Sequence, residues 1–149
     1  MSNMFQMLEI SGSAMSAERQ RAEVVAANLA NANTTRTTEG GPYKRKEVVF
    51  ASRNTSIFQY AFQQALHLPG APIPAVRVAQ VVTDPAPALM RYEPGHPDAN
   101  AQGFVAYPAI NPIQEMVDLM GATRAYQLNA SAVNASKQMF QQAIDILRS

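Results

Sequence analysis

The residues of this chain with the most obvious capacity for chemistry are His67, His96 and Asp98, since no other histidine is present. A histidine beside a carboxylate is the minimal acid–base pair, and a histidine among carboxylates is the minimal start of a metal site. The spacing supports neither. The two histidines are far apart in sequence, and no carboxylate cluster of ligand spacing flanks them. His96 stands among Pro94, Gly95 and Pro97, the composition of a turn. With 0 cysteines, disulfides, thiolate metal sites and cysteine nucleophiles are excluded together. No nucleophile motif and no phosphate-binding glycine loop is present. The expectation is therefore no catalytic residue, no metal site and no cofactor. An enzyme built on His96 and Asp98 is the weakest of the readings considered.

The one basic run, Tyr43-Lys44-Arg45-Lys46, is short and lacks the aromatic interleaving of a nucleic-acid surface. It reads as a solvated strand end, or as a contact to an acidic patch on a neighbouring subunit. A formal net charge of +1 provides no general attraction to nucleic acid or to an anionic membrane. Met1 to Ile10 lacks a basic start, and Glu9 interrupts the apolar run, so the N-terminus does not read as a cleaved secretory signal. No stretch approaches the ~20 apolar residues of a membrane span.

The elements that carry these residues are two long helices around a different kind of sequence. A length of 149 residues suits one domain with its own core. A first helix reads from about Met4 to Ala32, with Ser11 and Gly12 as weak positions that allow a later start near Ser13. Asn31 to Thr35 stop it. Thr34 to Pro42 has loop composition, and Tyr43 to Ala51 reads as a strand with Val48, Val49 and Phe50 at its buried end. Asn54 to Leu68 reads either as a short helix or as an extended insertion, broken by the proline-rich stretch Pro69 to Pro74. Ala75 to Thr83 alternates as a strand, Asp84 to Pro97 reads as irregular and extended, and Gly103 to Tyr107 as a short strand. Asn111 is placed to cap a second helix, with Pro112 in its first turn and Glu115 near its N-terminus. The expected fold is α+β. Its parts are an N-terminal core helix over 1–33, a loop and β-rich insert over 34–110, and a C-terminal core helix over 111–149.

Both helices carry a seven-residue apolar repeat. The second runs Met116, Leu119, Thr123, Tyr126, Ala130, Val133, Lys137, Phe140, Ile144, Leu147, and the first Met1, Met4, Leu8, Ser11, Met15, Glu18, Ala22, Val25, Leu29, Ala32. Steps alternating between three and four are the pattern of helices packed lengthwise, so a coiled-coil-like pairing is expected. The second helix also bears Ile113, Val117, Met120, Leu128, Met139 and Ile146 on the adjacent flank. A helix apolar over so wide an arc is buried on more than one side, and neighbouring subunits are the natural cover.

These residues resemble the bacterial flagellar basal-body rod proteins. Val24 to Thr34 (VVAANLANANT) is similar to the family's N-terminal signature, with Asn28-Leu29-Ala30-Asn31 at its centre. The second half narrows the likeness to the C-type, proximal-rod branch. It does so through Asp84 to Pro87, Tyr92 to Ala99, Gly103 to Val105, Asn111-Pro112, Glu115 to Val117, and Ala122 to Asn129. Asn54 to Pro74 departs from the family pattern, being longer and more aromatic.

The resemblance implies a structural subunit that stacks helically into the proximal rod and carries torque from the motor ring toward the distal rod and hook. It implies location in the basal body, within the periplasmic rod, reached through the flagellum's own type III apparatus without a cleaved signal. The partners implied are copies of itself, other rod proteins, and basal-body ring and export-gate components, with no nucleic acid, no small-molecule substrate and no membrane span. Candidate interface residues are Leu8, Met15, Val25, Asn28, Leu29 and Asn31 on the first helix. On the second they are Met116, Leu119, Met120, Arg124, Tyr126, Val133, Phe140, Ile144 and Leu147. For Asn28, helix capping and a hydrogen bond across a subunit contact stand as equal readings, while Asn33 reads as a cap. Arg124 and Tyr126 are of types enriched at interface anchors. Lys137, which interrupts the stripe, either snorkels out of a helix pair or sets its register. The rival reading is a self-contained helical adaptor or secreted effector outside the rod.

Overall fold

The computed structural model describes residues 2–52 and 75–148. The chain forms α1 (Ser2–Ala30), β1 (Lys46–Ser52), β2 (Val76–Thr83), β3 (Leu89–Tyr92), β4 (Phe104–Tyr107) and α2 (Pro112–Arg148). This is the α+β architecture expected, two long helices flanking short strands. The expectations for Asn54 to Pro74, and His67 with them, lie outside the described residues.

α1 does not wait for Ser13. It is helical from Ser2, through Ser11 and Gly12. The penalty of about 1 kcal/mol at a helical glycine is carried by the alanine-, methionine- and leucine-containing turns on either side. Ser13 bends its hydroxyl back to donate to the Ile10 carbonyl at 2.8 Å. The same oxygen accepts the Val76 amide at 3.2 Å, which ties the start of β2 to α1. At the other end the Asn31 side chain donates to the Ala27 carbonyl at 2.8 Å, and Thr34 donates to Asn31 Oδ1 at 3.2 Å. The end of α1 thus carries side-chain bonds from Asn31, and Asn33 lies exposed in the turn that follows.

α2 starts as its sequence dictates. The Ile113 amide donates to Asn111 Oδ1 at 3.1 Å, so Asn111 is the N-cap. Pro112 occupies the first helical position, where a missing N–H costs nothing. The Glu115 amide then closes the first turn on the Asn111 carbonyl at 3.1 Å.

The strands form two separate ribbons, β1 with β2 and β3 with β4. The second ribbon makes four residues of the irregular, extended stretch expected over 84–97 a regular strand. Four residues between Pro87 and Pro94 pair antiparallel with β4, Leu89 opposite Tyr107 and Tyr92 opposite Phe104. The flanking prolines end the ribbon but do not enter it. Its turn depends on Gly103, at φ +81°, where an added Cβ would stand 2.8 Å from Tyr92 Cε2 and 3.3 Å from Pro94 Cβ. Tyr92 in turn meets Phe104 edge-on, with ring centroids 5.3 Å apart. Gly103→Ala should therefore cost more than about 1 kcal/mol, through backbone strain and displaced Tyr92 together. A fall in the urea midpoint measures it, and an unchanged midpoint would contradict it.

The chain divides into two compact units, and each helix contributes to both. One comprises Met1–Arg19, Phe50–Ala79 and Thr123–Ser149, the other Gln20–Val49 and Gln80–Ala122. Among the described residues, the second unit holds most of the buried side chains: Val25, Asn28, Ala32, Val105, Ile110, Glu115 and Ala122. The first holds Ala17, Ala75 and Ser136. Its α2 segment from residue 137 to 146 is exposed at every position.

Candidate functional site

The best-built polar site lies in the second unit, around Asn28. Two residues before the end of α1, this residue shares a face with Val25, and both are buried, as is Ala32 in the turn that follows. A buried carboxamide offers two donors and two acceptor positions that must be matched, and here all four are. Asn28 Nδ2 donates to the Lys46 carbonyl at 2.8 Å and to Glu115 Oε2 at 3.0 Å. Its Oδ1 accepts the Lys46 amide at 2.9 Å and the Tyr43 hydroxyl at 3.2 Å. The pair of bonds to Lys46 grips one peptide unit from both sides, as a neighbouring strand would. It sets the first residue of β1. All four of these partners lie in the same chain. Its hydrogen-bonding capacity is spent within the fold.

Glu115 is the second buried polar residue of the site, 1% exposed. Arg45 Nε donates to its Oε1 at 2.6 Å. The same guanidinium also pairs with Glu47 and reaches Asp84 and Asp118 at 4.0 Å each. Asp118 is approached as well by Arg21, at 3.7 Å. Burial pulls the Arg45 pKa down, but hydrogen bonds to Glu115 and Glu47, and their charges, raise it above the ordinary arginine value. Arg45 is therefore no solvated strand end, although Lys44 and Lys46 on either side of it are exposed. Alternation along an extended segment turns Arg45 inward and its neighbours out.

Tyr43 borders the same cluster. Burial, and then the charge of Glu115, push its phenol above the ordinary 10.0. A group whose pKa rises on folding contributes stability below its unfolded value and loses it as pH rises through the folded one. Wild-type protein should therefore lose thermal stability above about pH 10 more steeply than Tyr43→Phe. The variant starts lower at pH 8 by about 1 kcal/mol, having lost the bond to Asn28. Parallel pH profiles for the two proteins would overturn this assignment.

His96 and Asp98 do not face one another as an acid–base pair. His96 Nδ1 accepts the Asp98 amide at 3.1 Å, and its ring lies edge-on to Tyr107. The Asp98 carboxylate accepts the Thr35 hydroxyl at 2.7 Å and lies 3.9 Å from Arg36. Both residues fasten a turn. Among the described residues, no group of three or more His, Asp or Glu is placed to hold a metal ion. No described helix is long and apolar enough to cross a membrane. What the Asn28 site can do is hold three segments together, because its donors and acceptors are occupied by one another.

The other sequence-predicted residues fall into two groups. Val25 is buried, and Leu8, Met15, Leu29, Asn31, Leu119 and Val133 are half-buried. Met116, Met120, Arg124, Tyr126, Phe140 and Ile144 are exposed, and the side chain of Leu147 lies outside the described residues. The adjacent flank of α2 is more exposed still, with Ile113 at 70%, Leu128 at 65% and Ile146 at 75%. Tyr43, Arg45, Glu115, Asp118 and Arg21 were not foreseen as one site. Their separation in sequence leaves no local signal beyond Glu115 at the start of a capped helix.

Comparison with known proteins finds matches at both ends of the chain. Residues 8–36 match a family described as "Flagella basal body rod protein". Residues 101–146 match one described as "Flagellar basal body rod FlgEFG protein C-terminal". The chain is similar to the flagellar basal-body rod protein FlgC of Borreliella burgdorferi, 35% identical with 97% of this chain and 98% of that protein covered. It is similar to FlgC of Bacillus subtilis at 39%, covering 95% and 97%. It is also similar to FlgC of Escherichia coli O6:H1 at 38%, covering 93% of each.

Proposed function

This chain belongs to the flagellar basal-body rod proteins, and we propose that it acts without catalysis, as a proximal-rod subunit stacked helically into the drive shaft. The observation that carries the reading is the α2 segment 137–146. There Met139, Phe140, Ile144 and Ile146 are exposed along one continuous helix. Apolar surface left in water forgoes roughly 25 cal/mol per Å², and large apolar side chains exposed together on one helix segment favour association. In this reading the exposed set Met116, Met120, Arg124, Tyr126, Phe140 and Ile144, with Leu147, meets copies of the same chain and other rod proteins. Buried Val25 and half-buried Leu8, Met15, Leu29, Asn31, Leu119 and Val133 belong to the same proposed interface. Contacts to basal-body ring and export-gate components, export without a cleaved signal, and transmission of torque toward the hook belong to the same proposal.

The test is deletion of the gene in its source organism, followed by purification of basal bodies from a strain carrying a tagged copy. Cells without rods and hooks, with the tagged protein in the basal-body fraction on complementation, are the expected result. Intact flagella, with the tagged protein absent from basal bodies, would overturn the rod assignment in favour of a free helical adaptor.

A further inference from the structure

The helices meet at two polar contacts in the second unit, Asn28 with Glu115 and Arg21 with Asp118. The apolar side chains buried on these stretches are small: Val25 on α1, Ala32 just beyond its end, and Ala122 on α2. Small side chains specify the sliding of one helix along another poorly, because a shift by one turn replaces one small contact by another. The polar cluster does not tolerate that shift. A slide of about 5.4 Å, one helical turn, would separate Asn28 from Glu115, now 3.0 Å apart. It would also cost Glu115 Oε2 its partner and Asn28 Nδ2 one of its two acceptors.

We propose that Asn28, Arg45 and Glu115 form the register key of the helix pair, deciding which turn of α1 meets which turn of α2, and that the key supplies specificity rather than net stability. Buried ion pairs commonly contribute no more stability than apolar residues of similar volume, while removal of a single member is strongly destabilising. A lone polar group in an apolar helix contact is the best-attested device for setting register. Arg45 extends the device beyond the helices. It comes from the segment leading into β1, so the register of the helices and the anchoring of that strand are set together. The proposal rests on contacts within one chain and is independent of the rod reading. Its test uses the isolated chain, so its failure would leave that reading untouched.

The experiment combines thermal melting with a distance measurement. Cysteines replacing Ala26 and Gln114, both exposed, carry spin labels at unique positions, since the chain has 0 cysteines of its own. Pulsed electron resonance then reads the distance between α1 and α2. The variants are Asn28→Leu, Arg45→Met, Glu115→Leu, and the three combined. Expected is one narrow distance in the labelled parent, a lower melting temperature for each single variant, and a triple variant that melts above every single one. In the triple variant the distance distribution broadens or splits. A triple variant that keeps the narrow parental distance would overturn the proposal, because apolar packing would then set the register. A triple variant that melts no higher than the singles, or fails to fold, would overturn it from the other side, because the cluster would then be a source of stability.

Discussion

Asn28→Asp, a change of one amide nitrogen to oxygen, is expected to destabilise this protein by about 3–5 kcal/mol at pH 7. Asn28 has no exposed surface. Its Nδ2 is the donor to both the Lys46 carbonyl and Glu115 Oε2. In the variant an oxygen faces both acceptors. The Lys46 carbonyl loses its partner, and a second carboxylate stands against Glu115 with Arg45 already engaged. Domains of this size are stable by only about 5–15 kcal/mol, so a large share of the folded population is at stake. The loss has a pH signature. Burial and a like charge nearby hold the introduced carboxyl protonated to higher pH than an exposed aspartate at about 3.9. A pKa raised in the fold gives stability that returns as pH falls and disappears as pH rises. Urea denaturation at pH 7 and near pH 4.5 should therefore show the gap between wild type and variant narrowing on acidification. Equal midpoints at pH 7, or a gap that widens toward acid, would show that the Asn28 donors do not hold the site.

What the sequence makes legible here follows the range of each interaction. Periodicity and capping are local, and they locate both helices. Asn111 and Pro112 mark the start of α2 to the residue. Gly12 misleads only about the start of α1, because a single weak position is outvoted by the turns around it. β3 is hidden for the opposite reason. Four residues between two prolines show no reliable alternation, and what makes them a strand is β4, which follows more than ten residues later. The Asn28 site is hidden for the same reason on a larger scale. The Glu115 partner of Asn28 lies 87 residues away, and Arg45 lies 70 residues from Glu115. Nothing in Tyr43-Lys44-Arg45-Lys46 distinguishes the one inward-facing cation from the two exposed ones except strand parity, and parity needs the first residue of β1 to be known. That residue is set by Asn28 itself. The residues around Asn28 mark the position without revealing its bonds to Lys46 and Glu115.

Val133→Pro is expected to abolish rod assembly while leaving the strands folded. Proline at this position removes the amide that would bond the Asn129 carbonyl and drives its ring into that carbonyl, at a cost of about 3 kcal/mol or more in a helix interior. The consequences differ along α2. The buried anchors Glu115 and Ala122 lie before the break, and the cluster that holds β1 lies wholly in the second unit, so that unit keeps its contacts. Beyond the break, Ser136 is the last buried side chain among the described residues, and residues 137–146 are exposed. That segment contributes little to the isolated chain and, in the rod reading, much to its neighbours. The purified variant should accordingly retain hydrogen-exchange protection in β3 and β4, while cells carrying it lack rods and hooks and do not swim. Asn134→Ala, one residue on at an exposed position, preserves the helix and should leave the cells motile. Swimming Val133→Pro cells would show that an unbroken α2 is dispensable for assembly. Loss of protection in β3 and β4 would show that the C-terminal half of α2 supports the fold itself, and the division of labour along this helix would have to be redrawn.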